Sequence, residues 1–478
     1  MISRVLPTLK IPILQGNVIM RKEKDALGTV DIPESDYRGI NTFRALENFP
    51  ISGITNDPDF IKALVLIKKA AAKVNAELNQ LDKNKSEAIV KACDELLEGK
   101  LVEYIAVDVY GAGAGTSFNM NVNEVLANRA IEHLKGQKGD YSIVHPNDHV
   151  NCAQSTNDVI PTALRIAALM KGAELVNALD VCQNTLAQKG VDFYHVIKAG
   201  RTHLQDAAPV SLGREFTVYS NIFSDHKKRI EYALEELKTL GIGGTAVGTG
   251  INTHPQYTSK MISELSKLTG INLSVSKDLM LSMQTMAPFV AVANAIENLS
   301  IDVGGKICGD LRLMSSGPTT GLSEINLPAV QQGSSIMPGK KNPSILEMLD
   351  QVCCEISGNA LTVRLASQRG QFELNVFMPV IAFNLLHSVN ILANALNTAN
   401  GKCFTGITAN EEQCKKYAES TVSLATVLNP IIGYAKAAEL VKEAVKTHKT
   451  IRQLCEEQKI LPKEELDKLF NLEKLAGI

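Results

Sequence analysis

Two apolar stripes limit what this chain can become. From Leu212 the apolar positions run Phe216, Tyr219, Phe223, Ile230, Leu234 and Leu237, in steps of three, four and seven, with Asp225, Lys227, Lys228 and Glu231 set off the line. From Val292 a second line runs Ile296, Leu299, Val303, Ile307, Leu311 and Met314. This is the period of amphipathic helices, and both are longer than a small domain needs. Further helices are predicted from Asp59 to about Leu81, Pro343 to about Ser367 and Glu373 to about Leu396. Long helices with apolar residues on more than one side bury them in a bundle, against other copies as well as within one chain, so a mainly α fold and an oligomer are expected.

The 478 residues, 45% hydrophobic and 21% charged, suffice for a large core divided among two to four domains. A formal charge of -2 and a pI near 6.5 give no general attraction to nucleic acid or to anionic membranes, so any anion recognition is local. No run approaches 18 apolar residues, and no membrane span is expected. The nine cysteines are odd in number and lack C-x-x-C spacing, which fits reduced thiols in a cytoplasmic compartment. The nine histidines show no ligand spacing, and no metal is expected. The first 22 residues carry Arg4, Lys10, Arg21 and Lys22 and no acid, broken by Pro7 and Pro12, so residues 1–20 read as a disordered tail or a weak presequence.

Composition shifts at His145–Asn151 and Asn397–Glu412 suggest three regions, 1–153, 154–405 and 406–478, with Thr408 and Glu411 spaced as a capping box. Four polar segments interrupt the apolar pattern: Gly111–Ala130, Gln154–Thr162, Gly200–Pro209 and the loop GSSIMPGKKN at Gly333–Asn342. They offer Thr116, Ser155, Thr156, Asn157, Thr202, His203, Ser335, Lys340 and Asn342 as donors in glycine-permitted backbone. Many neutral donors with one lysine and one histidine suit removal of a proton beside a carboxylate, where an enediolate-like charge must be cradled. A second carboxylate would find Lys340, Asn342 and Thr202, and the base would be a serine hydroxyl in the mobile loop. The segment Gly241–Gly250 follows a long helix and lacks a GK[ST] ending, so its glycines are read as letting chains pass closely rather than as a nucleotide loop. Cys353 and Cys354 lie on a predicted helix, where neighbours point apart, and are read as packing residues.

In order and spacing these segments resemble the signatures of the aspartase/fumarase superfamily; GSSIMPGKKN matches GSSxMPxKxN, and the likeness extends from about residue 21 to 478. The resemblance implies a three-domain, mostly helical subunit, a homotetramer on a twenty-helix core, sites built from three subunits and no cofactor. It implies Ser334 as the base that takes the β-carbon proton. Ser335, Ser155, Thr156 and Thr116 would hold the β-carboxylate, and Thr202, Lys340 and Asn342 the α-carboxylate. Asn157 and His203 would face the departing amino group, with Glu347 behind the histidine. AGTSFNMN, PNDHVN, QSTND, INLP and GITANEE are similar to aspartases, which deaminate L-aspartate to fumarate. GQFELNVF and LNPIIGYAKAAE lean toward fumarases or are shared. Hydration of fumarate to malate is the alternative, and a structural homologue without catalysis is an alternative of another class. Two positions depart from the pattern: Thr319 in GPTTG stands where arginine is usual, and Lys341 where valine is usual.

Overall fold

The computed structural model describes residues 19–478. In chain order the elements begin with β1 (Met20–Asp25), β2 (Gly28–Pro33), α1 (Ile40–Asn48), α2 (Pro58–Glu77), α3 (Lys83–Leu97), α4 (Thr116–His133) and α5 (Thr156–Asp192). The middle holds β3 (Ile197–Thr202), β4 (Gln205–Ser211), α6 (Leu212–Glu235), β5 (Thr239–Leu240), α7 (Tyr257–Thr269), β6 (Ser274–Val275), α8 (Leu281–Gln284), α9 (Ala287–Ile301) and α10 (Gly309–Met314). Then come β7 (Ile325–Asn326), α11 (Ser344–Ser367), α12 (Met378–Lys402), β8 (Thr408–Ala409) and α13 (Glu411–Ser420), followed by α14 (Asn429–Ile432), α15 (Tyr434–Thr447), α16 (Ile451–Glu457), α17 (Lys463–Leu469) and α18 (Leu472–Ala476). The fold is mainly α, and the strands of the described residues form two-stranded pairs.

One compact unit comprises the described residues up to Lys171 together with 234–291 and 361–387. Its helices start where the sequence caps them: Asp57 accepts from the Asp59 amide ahead of Pro58, and Asp82 from that of Lys85. Glu124 of α4, buried, accepts from the backbone N–H groups of Gly39, Asn41 and Thr42, and so satisfies the free donors at the start of α1. Burial holds the Glu124 carboxyl above its ordinary range despite those donors. The tail reading for residues 1–18 lies outside the described residues. Met20, Arg21 and Lys22 are strand, and Arg21 donates to the carbonyls of Pro33, Asp36 and Arg38.

The second unit comprises 172–233, 292–360 and 388–478. Every apolar residue of both predicted stripes is buried. Between Leu299 and Leu311 the second stripe steps by four three times running, more than an α-helix allows, and residues Asp302–Cys308 form a π-helix whose wider turn keeps the stripe on the core side. The C-terminal helices have their own apolar cluster, including Leu424, Leu428, Leu440, Ile451, Leu454, Leu466 and Phe470.

Several sequence expectations shift. The helix expected from Glu373 starts at Met378, because Asn375 turns its carboxamide oxygen to the Phe377 amide and ends the preceding loop. It runs on to Lys402, so the first residues of the expected 397–412 loop are helical. The capping box at Thr408 is not formed; Asn410 caps α13 through the Gln413 amide, while Thr408 pairs with Asn326 in β8. The stretch Met378–Gly406 is long and apolar enough to cross a membrane by length and composition, contrary to the expectation of no such run. Its Ile381, Leu385, Val389, Leu392 and Leu396 are buried in protein and Asn384 is buried with them, as in a core helix.

Candidate active site

Thr116, Ser155, Thr156 and Asn157 all belong to the first unit, at two helix N-termini, where unpaired N–H groups and the helix dipole favour an anion. Gly115, at φ 85°, turns the chain into α4, so Thr116 is the first helical residue and is exposed. One turn on, Asn119 donates through Nδ2 to Thr156 Oγ1 at 3.1 Å. Ser155 caps α5, its Oγ accepting from the Asn157 amide at 3.2 Å. The Ser155 and Thr156 hydroxyl oxygens thus accept from the protein and keep their own protons to donate to a ligand, whereas Thr116 Oγ1 donates to the Gly113 carbonyl at 3.4 Å. Asn157 Nδ2 donates to the Ala246 carbonyl at 2.8 Å, which fixes the side chain.

The second unit carries the other candidates. Thr202 and His203 are not at a helix end; they form the tip of the β3–β4 hairpin, where Thr202 pairs with Gln205. The two turn residues His203 (φ 55°) and Leu204 (φ 59°) are both left-handed, a turn that normally takes Asn and Gly, so strain is stored at the tip. Both are exposed. The hairpin is tied down by Arg201, whose Nη1 donates to Glu324 Oε1 at 2.8 Å; Lys198 lies 3.3 Å from the other oxygen of this fully buried carboxylate.

Glu324 leads through β7 into the GSS loop. There Gly333 donates to the Lys340 carbonyl at 2.9 Å and accepts at its own carbonyl from Asn342 Nδ2 at 2.8 Å. A Cβ on Gly333 would lie 2.4 Å from the Lys340 oxygen, so only glycine closes the loop this way. Inside it, Ser334 Oγ accepts from the backbone N–H groups of Ile336 (3.2 Å) and Met337 (3.0 Å). Two such donors favour a negative oxygen, the form a serine needs to act as a base. Ser335 and Lys340 are exposed beside it and, with Ser334 and Lys341, line an open cavity of about 690 Å³.

Glu347 sits in the first turn of α11 and makes no ion pair with His203 among the described residues. No hydrogen bond among the described residues joins the hairpin tip to the loop. Sequence reading missed Glu324, Asp158 and Lys68. Asp158 was legible as the acid three residues after a capping serine, whereas no local pattern announces a lysine at 0% exposure in the middle of α2. The glycine segment 241–250 does allow close passage: a Cβ would meet Ser282 at Gly241 and Thr258 at Gly243. Cys353 is buried, its thiol pushed up to about 12 by burial, and packs as expected; Cys354 is exposed on the other side of the helix, so the packing reading does not hold for it. Among the described residues no group of three or more His, Cys, Asp or Glu side chains is placed to hold a metal ion.

Residues 28–358 match the family model described as Lyase, and residues 424–477 that described as Fumarase C C-terminus. An aspartate ammonia-lyase from Helicobacter pylori is 46% identical over 463 residues, covering 96% of this chain and 98% of the relative. The chain belongs to the aspartase/fumarase lyase superfamily. Among solved structures, a fumarate lyase:delta crystallin from Brucella melitensis bound to cobalt has a TM-score of 0.92 at 44% identity, covering 96% of this chain and all of that one (100%). A class II fumarase from Schistosoma mansoni, 35% identical, also has a TM-score of 0.92 and covers 96% of this chain and 99% of that one. Of the two departures from the lyase signatures, Lys341 lies within the loop and Thr319 precedes it in sequence. Lys341 shares a second cavity of about 500 Å³ with Arg312, Ser315, Ser316 and Gly317, and Thr319 is exposed.

Proposed function

We propose that this lyase removes ammonia reversibly from L-aspartate to give fumarate. The observation that carries the reading is Ser334 Oγ held under two backbone N–H groups in a loop that also presents Ser335 and Lys340. The aspartate ammonia-lyase relatives support the substrate.

In this reading the Ser334 alkoxide takes the β-carbon proton, and the C–H electron pair moves onto the β-carboxylate as an enediolate. Ser335, Ser155, Thr156 and Thr116 donate to that carboxylate as its charge grows. The pair then returns to form the carbon–carbon double bond, and the C–N bond breaks with its electrons leaving on nitrogen. Thr202, Lys340 and Asn342 hold the α-carboxylate, Asn157 and His203 face the departing amine, and Glu347 orients the histidine.

The two helix N-termini, the hairpin tip and the loop come from different copies in a homotetramer. Exposed apolar residues on the long helices support such an assembly: Val218 and Tyr232 on α6, Ile301 on α9, and Leu361 and Leu365 one turn apart on α11. The three-domain division at about 153 and 405 belongs to the same proposal, supported by the separate C-terminal apolar cluster. Nine unpaired cysteines support a cytoplasmic location.

Fumarate absorbance recorded with aspartate and with malate side by side tests the reading. Faster turnover of aspartate is expected. Faster dehydration of malate would make the protein a fumarate hydratase, and no activity on either would make it a structural homologue.

A further inference from the structure

The glycine segment 241–250 and the buried pair Asp158–Lys68 have no part in the chemistry so far, yet they meet behind the Ser155–Asn157 turn within one unit. Asp158, fully buried, divides its carboxylate between two chain segments: Oδ1 accepts from the Ser155 N–H at 2.9 Å, and Oδ2 from those of Gly243 (2.9 Å) and Thr245 (3.0 Å). Lys68, at 0% exposure on α2, donates to Asn151 Oδ1 at 2.8 Å and Gln154 Oε1 at 2.9 Å, just ahead of the turn. The glycines are what let the partner segment arrive: a Cβ at Gly243 would lie 2.1 Å from Thr258 Oγ1, and one at Gly248 2.3 Å from Met280 Cγ.

We propose that Asp158 is a positioning residue for substrate binding, its carboxylate locking the Ser155–Thr156–Asn157 turn onto the 243–246 segment so that the two hydroxyls stay aimed at a substrate carboxylate. This rests on the lyase reading above. Asp158 touches no substrate. A neutral cap would hold a helix start at lower desolvation cost, and a buried carboxylate with a buried lysine is a costly way to do it. What the carboxylate adds is acceptor capacity on both oxygens at once, which joins two segments rather than capping one. While it carries its proton, Lys68 offsets the negative charge that Asp158 would otherwise set behind an anion site.

Burial pushes the Asp158 carboxyl up to about 6 and the Lys68 ammonium down to about 7; the other titratable group facing Asp158 is the buried Tyr257 hydroxyl on α7, raised by burial. Below about pH 6 Asp158 gains a proton and gives up acceptor capacity to the turn. Its folded value lies above the unfolded 3.8, so the stability this group contributes is full below 3.8 and is lost as pH rises through about 6. Acidification from pH 7 to 5 therefore lowers activity while this group's effect on stability improves, a divergence that a purely structural role does not produce.

The test compares Asp158→Asn and Asp158→Ala with the wild type in the assembled, full-length enzyme. It measures KM for L-aspartate, kcat, the inhibition constant of succinate as an unreactive dicarboxylate, and melting temperature from pH 5 to 8. In Asp158→Asn we expect about a tenfold rise in KM and in the succinate constant, a smaller fall in kcat, and loss of the acid limb near pH 6. The melting-temperature difference should move in the wild type's favour from pH 7 to 5. A folded Asn variant with both constants within about twofold of wild type and the same acid limb overturns the proposal. If neither variant folds, peptide-resolved hydrogen exchange on the wild type decides. Protection of segments 151–157 and 242–246, corrected for intrinsic rates, should fall together below pH 6 while α2 is unchanged; pH-independent protection overturns the inference. If the wild type does not act on aspartate, the lyase reading fails, and the exchange measurement still tests the clamp.

Discussion

A serine hydroxyl is a poor base in water, and its strength as one here depends on what Ser334 meets in its loop. Two backbone N–H donors converge on its oxygen, and Lys340 sits exposed in the same short segment. Removing the hydroxyl with Ser334→Ala should lower kcat by about 10² to 10⁴ while leaving the melting temperature nearly unchanged, because the loop is largely exposed. If Lys340 holds a carboxylate in both ground and transition states, as proposed, Lys340→Ala should act on binding, raising KM for aspartate by about tenfold or more with a smaller effect on kcat. These residues were legible in the sequence because chemistry concentrates unusual residue types in short runs. Asp158, Glu324 and Lys68 were far less so, since each acts across the fold: Glu324 lies 123 residues from Arg201, and Lys68 83 residues from Asn151. Burial, which makes them matter, is not a local property.

Helices were the most legible elements, their apolar stripes following directly from packing on one face. The π-helix at Asp302–Cys308 had a trace in the sequence, the repeated step of four, yet read as an ordinary helix because position alone does not reveal a widened turn. The hairpin at 197–211 was invisible: its turn carries His203 and Leu204 where a two-residue turn usually announces itself with Asn-Gly. Ends of elements went astray where a side chain chose a different partner, as with Asn410 displacing Thr408 as a cap. The loop itself is an element with a single close approach at its base. Gly333→Ala places a methyl against the Lys340 carbonyl and should force the loop open, cutting kcat/KM by about tenfold or more, with little change in unfolding temperature because few buried contacts are lost. Unfolding followed by circular dichroism beside steady-state kinetics separates the two effects.

For the whole molecule the sequence forecast a mainly helical protein that associates, and the mainly helical fold is present. The site candidates divide between two compact units of one chain, and exposed apolar residues mark the long helices. If those residues seat against other copies, charging one helix face should disperse the assembly. Leu361→Glu combined with Leu365→Glu should convert a tetramer into smaller species by sedimentation and abolish activity, because each site would lose its neighbours' segments. A mixture of two inactive proteins, one with Ser334→Ala and one with Thr156→Val, should recover activity after subunit exchange if the segments come from different chains. Whether Ser334 is the base is decided by fumarate formation from L-aspartate with purified wild type and Ser334→Ala, malate being run in parallel. Rapid fumarate release from aspartate, slower release from malate, and a loss of at least about 10² in the variant are expected. Turnover of aspartate by Ser334→Ala close to that of the wild type would contradict that role.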